Sequence, residues 1–148
     1  SAAAESYTDF AIAFTGIEGM SLGAAISNNT VGASNDSDET TMYATYAMGA
    51  VTVGVQASDE DRTTTGTDQE SIAYGITYAV NDDFSIGYSY HELETESTTD
   101  EDQESTGISA SYTMGGMTLA GAMNEVDNME GTATQDFEGY EFTLSFAF

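Results

Sequence analysis

Large apolar residues fall at every second position along most of this chain. From Ser71 to Val80, Ile72, Tyr74, Ile76, Tyr78 and Val80 alternate with Ser71, Ala73, Gly75, Thr77 and Ala79. A period of two sends the first set to one face of a strand and the second to the other. The two faces therefore meet different surroundings, one apolar and one mild. The same alternation recurs nine times. It runs through Phe10, Ile12 and Phe14, then Met20, Leu22, Ala24 and Ile26, then, less cleanly, Met42, Ala44, Tyr46 and Met48. Val51, Val53 and Val55 form the fourth run, and Ser71–Val80 is the fifth. Phe84, Ile86, Tyr88 and Tyr90 follow, then Ile108, Ala110, Tyr112 and Met114, then Met117, Leu119 and Met123. The ninth run is Tyr140, Phe142, Leu144, Phe146 and Phe148. Each, with its flanks, has roughly the 9–11 residues that a tilted strand needs to cross a bilayer.

The connections alternate in length. Gly16–Gly19, Gly49–Ala50, Asn81–Asp83 and Gly115–Gly116 are short and carry the Gly and Asn that tight hairpins need for positive φ. Residues 28–41, 59–70, 92–106 and 125–138 are long, and hold most of the 26 acids. Their Asp, Glu, Ser, Thr, Asn and Gly composition reads as solvated, mobile loop. Short turns at one end and long loops at the other are the layout of an antiparallel transmembrane β-barrel, with the short turns in the periplasm. The expected fold is all-β, and residues 1–148 form one barrel segment. The ninth run descends to the periplasmic side, so Ser1 begins outside. Bacterial single-chain barrels have even strand numbers. Nine strands that start outside are thus expected to belong to something larger, with N-terminal strands missing from this chain.

Composition narrows the function. One basic residue, Arg62, stands against 26 acids, for a net charge of −25. Nucleic acid, which demands Lys and Arg on its phosphates, is excluded as a partner. With no Cys, thiolate metal sites, disulfides and cysteine nucleophiles are excluded. No Pro interrupts the ladders. No apolar stretch approaches the roughly 20 residues of a spanning helix, which says nothing against a barrel.

The final residues, Gly139 to Phe148, carry apolar side chains at alternate positions and end on Phe. They resemble the last strand of Gram-negative outer-membrane proteins. The stretches Met42–Val55 and Gly107–Ala122 resemble the strand–turn–strand units of general diffusion porins of the alphaproteobacterial, Rhodobacter-like type. That resemblance implies a sixteen-stranded, homotrimeric barrel in the bacterial outer membrane, of which this chain is the C-terminal portion. It implies lipopolysaccharide as a neighbour. It also implies that Tyr140, Phe142, Leu144, Phe146 and Phe148 form a signal read by the barrel-assembly machinery. The family's inward loop and basic cluster come mainly from the other half. They find no counterpart here, since Arg62 stands alone in an outer loop.

The mild face supplies the candidate site. Ser21, Ser27, Thr52, Gln56, Ser85, Ser89, Ser109, Ser111 and Thr113, with Gly and Ala between them, are too small to pack an interior and fit a wetted pore wall. Against this stands a soluble sheet whose mild face is its solvent side. Tyr74, Tyr78, Tyr90, Tyr112, Tyr140, Phe84, Phe146 and Phe148 are placed as interfacial girdles rather than as ordinary core. Asp59, Glu60, Asp61, Asp100, Glu101 and Asp102 form an acidic mouth that favours cations. These carboxylates offer weak, diffuse binding to Ca or Mg, bridging phosphates of the outer lipid. Neither triplet has an EF-hand pattern, and a charge run is more often a solvated face. His91, beside Glu92 and Glu94, lacks a partnered nucleophile and reads as a rim residue rather than a catalytic base. The expected function is a water-filled porin for passive diffusion of small hydrophilic solutes, leaning towards cations, and no enzyme. Two rivals share the composition: an outer-membrane surface protein whose acidic loops bind a partner, and a soluble, secreted acidic β-protein.

Overall fold

The computed structural model describes residues 5–31, 36–63, 67–97 and 100–147. Nine strands follow one another: β1 Glu5–Ile17, β2 Met20–Val31, β3 Ser37–Met48, β4 Val51–Arg62, β5 Gln69–Ala79, β6 Phe84–Thr95, β7 Gln103–Met114, β8 Met117–Asp127 and β9 Phe137–Phe146. They form one sheet in chain order, and each pairs antiparallel with the next. Among the described residues, β1 and β9 each have one neighbour, so the sheet has two edges. A turn of 3-10 helix, Met129–Gly131, joins β8 to β9.

Each of the nine alternating runs falls on one strand, with Val80 just past the end of β5 and Phe148 outside the described residues. The short turns are where the sequence places them, and their backbones show why. Gly19, Gly49 and Gly115 have φ of 75°, 62° and 61°. These values lie in the left-handed region, open at little cost to a residue without Cβ. Between β5 and β6, Asn81 Oδ1 accepts from the backbone N–H groups of Asp83 and Phe84, both at 2.9 Å, closing the turn through a side chain. Each short turn is also tied to the hairpin after it. The carbonyls of Gly19, Ala50, Asp83 and Gly116 accept from the N–H groups of Ala47, Ala79, Thr113 and Ala147 at 2.7–2.8 Å. A register shift between Phe14 and Ile17 marks a bulge beside the first turn.

The long connections are shorter than expected. Asn28–Val31, Ser37–Thr41, Asp59–Arg62, Glu92–Thr95 and Gln103–Thr106 are all paired strand rather than loop. Both faces of the sheet are wet at this level, so the period-two signal fades while the hydrogen-bonded ladder continues. The β8–β9 connection is braced as well. Gly131 O accepts from Glu101 N at 2.9 Å, and Asn128 Nδ2 donates to Asp102 O at 3.1 Å.

No hydrophobic side chain among the described residues is buried. The chain exposes 10360 Å², whereas a compact protein of 15.6 kDa exposes roughly 7,300 Å². The difference is that of a single layer with two open faces. Of the exposed large apolar side chains, all but Tyr7, Tyr43 and Phe137 stand on one face by register.

Candidate functional site: the small-residue face

The cross-strand register sorts the candidate residues. Ser21, Ser27, Thr52, Gln56, Ser85, Ser89, Ser109, Ser111 and Thr113 all fall on the face opposite the apolar band. One row runs across the sheet as Thr45, Gly54, Gly75, Ser89, Gly107, Asn124 and Gly139. The row next to it, towards the long connections, is Gly23, Tyr43, Gln56, Ala73, His91, Ser105, Val126 and Phe137. Hydroxyls on this face bond to one another: Thr41 donates to Ser58 at 2.9 Å, and the Thr113 and Thr118 oxygens are 3.0 Å apart.

The second row holds the larger side chains that reading for small residues passes over. Tyr43 crosses the strand boundary and covers Gly23. A Cβ at Gly23 would meet the ring 2.1 Å away. An aromatic ring over a cross-strand glycine restores the packing that the glycine lacks. Tyr43, Gln56, His91 and Asn124 border a shallow trough of about 620 Å³ floored by Gly54, Ala73, Gly75 and Gly107. A signal for Tyr43 existed in the sequence: it is a large residue on the small-residue parity of its own run.

The acids divide. Asp59 and Asp61 stand on the face of the apolar band, Glu60 on the small-residue face. They lie in strand β4, beyond the last apolar side chains, and so do not form a loop. Arg62 is also in β4 and is not alone. Its Nε and one terminal nitrogen donate to both oxygens of Glu60 at 2.8 and 2.7 Å, and that nitrogen also reaches Gln69 Oε1 at 3.3 Å. This bidentate bond from Arg62 holds the Glu60 carboxyl below the usual carboxylate range. Asp100, Glu101 and Asp102 do lie in a connection, between β6 and β7.

His91 stands on the small-residue face, between Ala73 and Ser105. Glu92 and Glu94 face the other way by register, so the three side chains do not converge. No group of three or more acidic, His or Cys residues suited to a metal ion occurs among the described residues.

On the apolar face, aromatic residues border the band on two sides. Tyr46, Tyr78, Phe84, Tyr112 and Phe146 lie near the short turns. Tyr74 and Tyr90 lie at the other border, stacked with ring centroids 4.9 Å apart, and Tyr90 donates to Glu92 at 2.6 Å. Tyr140, Phe142, Leu144 and Phe146 share this face on β9, while Phe148 lies outside the described residues.

The full length of the chain, residues 1–148, matches the family described as Gram-negative porin. The chain belongs to the Gram-negative porin family. Solved porins share the fold at low identity. A Rhodobacter blastica porin variant is 15% identical at a TM-score of 0.70, covering 96% of this chain and 46% of its own. A porin refined at 1.8 Å is 19% identical at 0.74, covering 92% of this chain and 50% of its own. OmpT of Vibrio cholerae is 14% identical at 0.70, covering 97% of this chain and 56% of its own. The chain thus spans about half the length of these porins. No curated protein matches it. Membership in the porin family places the chain in the outer membrane, and the soluble reading falls with it: the apolar face meets lipid.

Proposed function

We propose that this chain is one wall of a water-filled outer-membrane channel through which small hydrophilic solutes diffuse passively. The observation that carries the reading is the sorting of side chains by register: across the nine strands nearly all the large apolar residues share one face, and small hydroxyl and glycine residues dominate the other. In lipid, paired strands satisfy the backbone while the apolar face is solvated by acyl chains. The opposite face then lines water. Nothing in this mechanism requires a catalytic residue.

Closure requires more strands. The chain direction reverses eight times from β1 to β9, so the two edge strands run the same way. An even, fully antiparallel barrel then needs an odd number of further strands between them. Seven would give the sixteen of the Rhodobacter-like resemblance, assembled as a homotrimer. The apolar side chains of β9, with Phe148, serve as the assembly signal.

The acids act at two places. Glu39 sits on the pore face opposite Glu60, whose charge Arg62 offsets, and it biases entry towards cations. On the lipid face, Asp59, Glu70 and Glu94 form one cross-strand row and Glu92, Glu104 and Asp127 another. Like charges directly opposite repel. Diffusely held Mg or Ca offsets that repulsion and bridges to lipopolysaccharide phosphates.

The test is conductance in a planar bilayer under a salt gradient. Stepwise ohmic openings with a cation-leaning reversal potential are expected. Folded protein that never opens a channel would leave the surface-anchor reading in its place.

A further inference from the structure

We infer that the trough on the pore wall is a subsite for a neutral oligosaccharide, with Tyr43 as its stacking platform. The inference rests on the channel reading and adds a ligand class to it. Three observations carry it. First, no residue bordering the trough is Asp, Glu, Lys or Arg. Glu39 and Glu60 lie two rows away, and Glu60 is already bound to Arg62. In a chain of net charge −25, an uncharged stretch of wall neither attracts a cation nor rejects an uncharged solute. Second, the floor is flat and apolar while its border is polar. Gly54, Ala73 and Gly75 leave the backbone open to close approach, and Gln56, His91 and Asn124 supply donors and acceptors around it. A pyranose ring has the matching shape, with a C–H face that stacks and hydroxyls at its edge. Third, the platform already lies against the sheet before any ligand arrives. The Tyr43 ring rests on Gly23, and its hydroxyl is 3.5 Å from Ser21 Oγ. A ring already held in place loses little freedom on binding.

The dimensions agree. Tyr43, Gln56, Ala73 and His91 are consecutive partners on adjacent strands, so Tyr43 and His91 stand about 14 Å apart across the sheet. The trough volume of about 620 Å³ falls in the range of roughly 300–1,000 Å³ typical of small-ligand sites. A short linear oligosaccharide spans it; a single sugar ring would leave one end unused.

Maltotriose is the probe, added to single channels of the full barrel that contains this chain. Brief interruptions of current, rising in frequency with sugar concentration, are expected. Tyr43→Phe keeps the platform and should retain them. Tyr43→Ala should weaken apparent affinity about tenfold, and Gln56→Ala or His91→Ala about threefold to tenfold. The last two leave the Tyr43–Gly23 contact intact, so they report on binding even if Tyr43→Ala folds poorly. Channels that open normally but ignore maltotriose would overturn the subsite and leave the channel standing. Equal block by trigalacturonate would overturn the assignment to a neutral ligand. If no channel forms, the full folded barrel in micelles can be titrated with maltotriose while tyrosine emission is compared with that of its Tyr43→Phe variant. A saturable change would support the subsite, and no change would overturn it.

Discussion

Single residues in this sheet are decided by which face they occupy and by what their backbone asks of them. Gly19 and Gly49 both have left-handed backbones, yet their surroundings differ. A Cβ at Gly19 would lie 2.5 Å from the carbonyl oxygen of Ala47, whereas at Gly49 it would meet nothing. Gly49→Ala should therefore cost only the left-handed penalty, about 1–2 kcal/mol. Gly19→Ala should cost more than that, because a hydrogen-bonded backbone cannot step aside. Urea titration of folding into lipid vesicles measures both. Neighbouring acids divide in the same way. Glu60→Gln leaves Arg62 without its ion pair on the pore face, so the reversal potential should move away from cations. Asp61→Asn, one residue along and on the lipid face, should move it far less. A larger shift for Asp61→Asn would reverse the assignment of faces.

At the level of strands, the alternation asks for the opposite behaviour of adjacent positions. Ile76 lies on the apolar face between Tyr74 and Tyr78, and Thr77 on the pore face beside Thr52 and Gly87. Arg at Ile76 should destabilise the barrel by about 2–4 kcal/mol if it lies near the bilayer midplane. Arg at Thr77 should cost less than about 1 kcal/mol and instead alter conductance, since its charge enters water. Refolding midpoints and single-channel recordings separate the two outcomes. That contrast also explains what the sequence made legible. Within the membrane, lipid and water impose different side chains on the two faces, so all nine strands and the four short turns could be read from parity and glycine. Beyond the apolar band both faces meet water and the constraint vanishes. Asp59–Arg62 then looks like loop although it is paired strand, and Arg62 looks solitary although Glu60 faces the same way two residues before it. Tyr43 and His91 were hidden differently. One large residue among small ones reads as noise until the register shows that Tyr43, Gln56 and His91 share a row.

Among the described residues the molecule is a sheet without a core, and its exposed area shows that folding alone does not cover the apolar side chains. They are covered by lipid on one side, and the pore face stays wet. Selectivity then depends on a few charges near the mouth, and it should be sensitive to salt. Exposed charges are screened beyond roughly 8–10 Å at 0.1–0.15 M. Reversal potentials taken at a fixed gradient ratio should therefore show stronger cation preference at 10 mM salt than at 1 M. A preference that does not change with ionic strength would place the selecting charges in a narrow, poorly screened constriction outside this chain.

The extension of the ladder past the apolar band has a further consequence. From Asp59 to Arg62, β4 continues as paired strand, a rise of about 8 Å once tilt is allowed for. In the proposed barrel this stretch forms part of a paired collar beyond the apolar band. That height is about the screening distance at physiological salt. A solute outside the collar feels little of its charge, while one inside is surrounded by it before reaching the membrane slab. In the proposed channel the collar would act as an antechamber, where a solute meets charge before it reaches the small-residue wall.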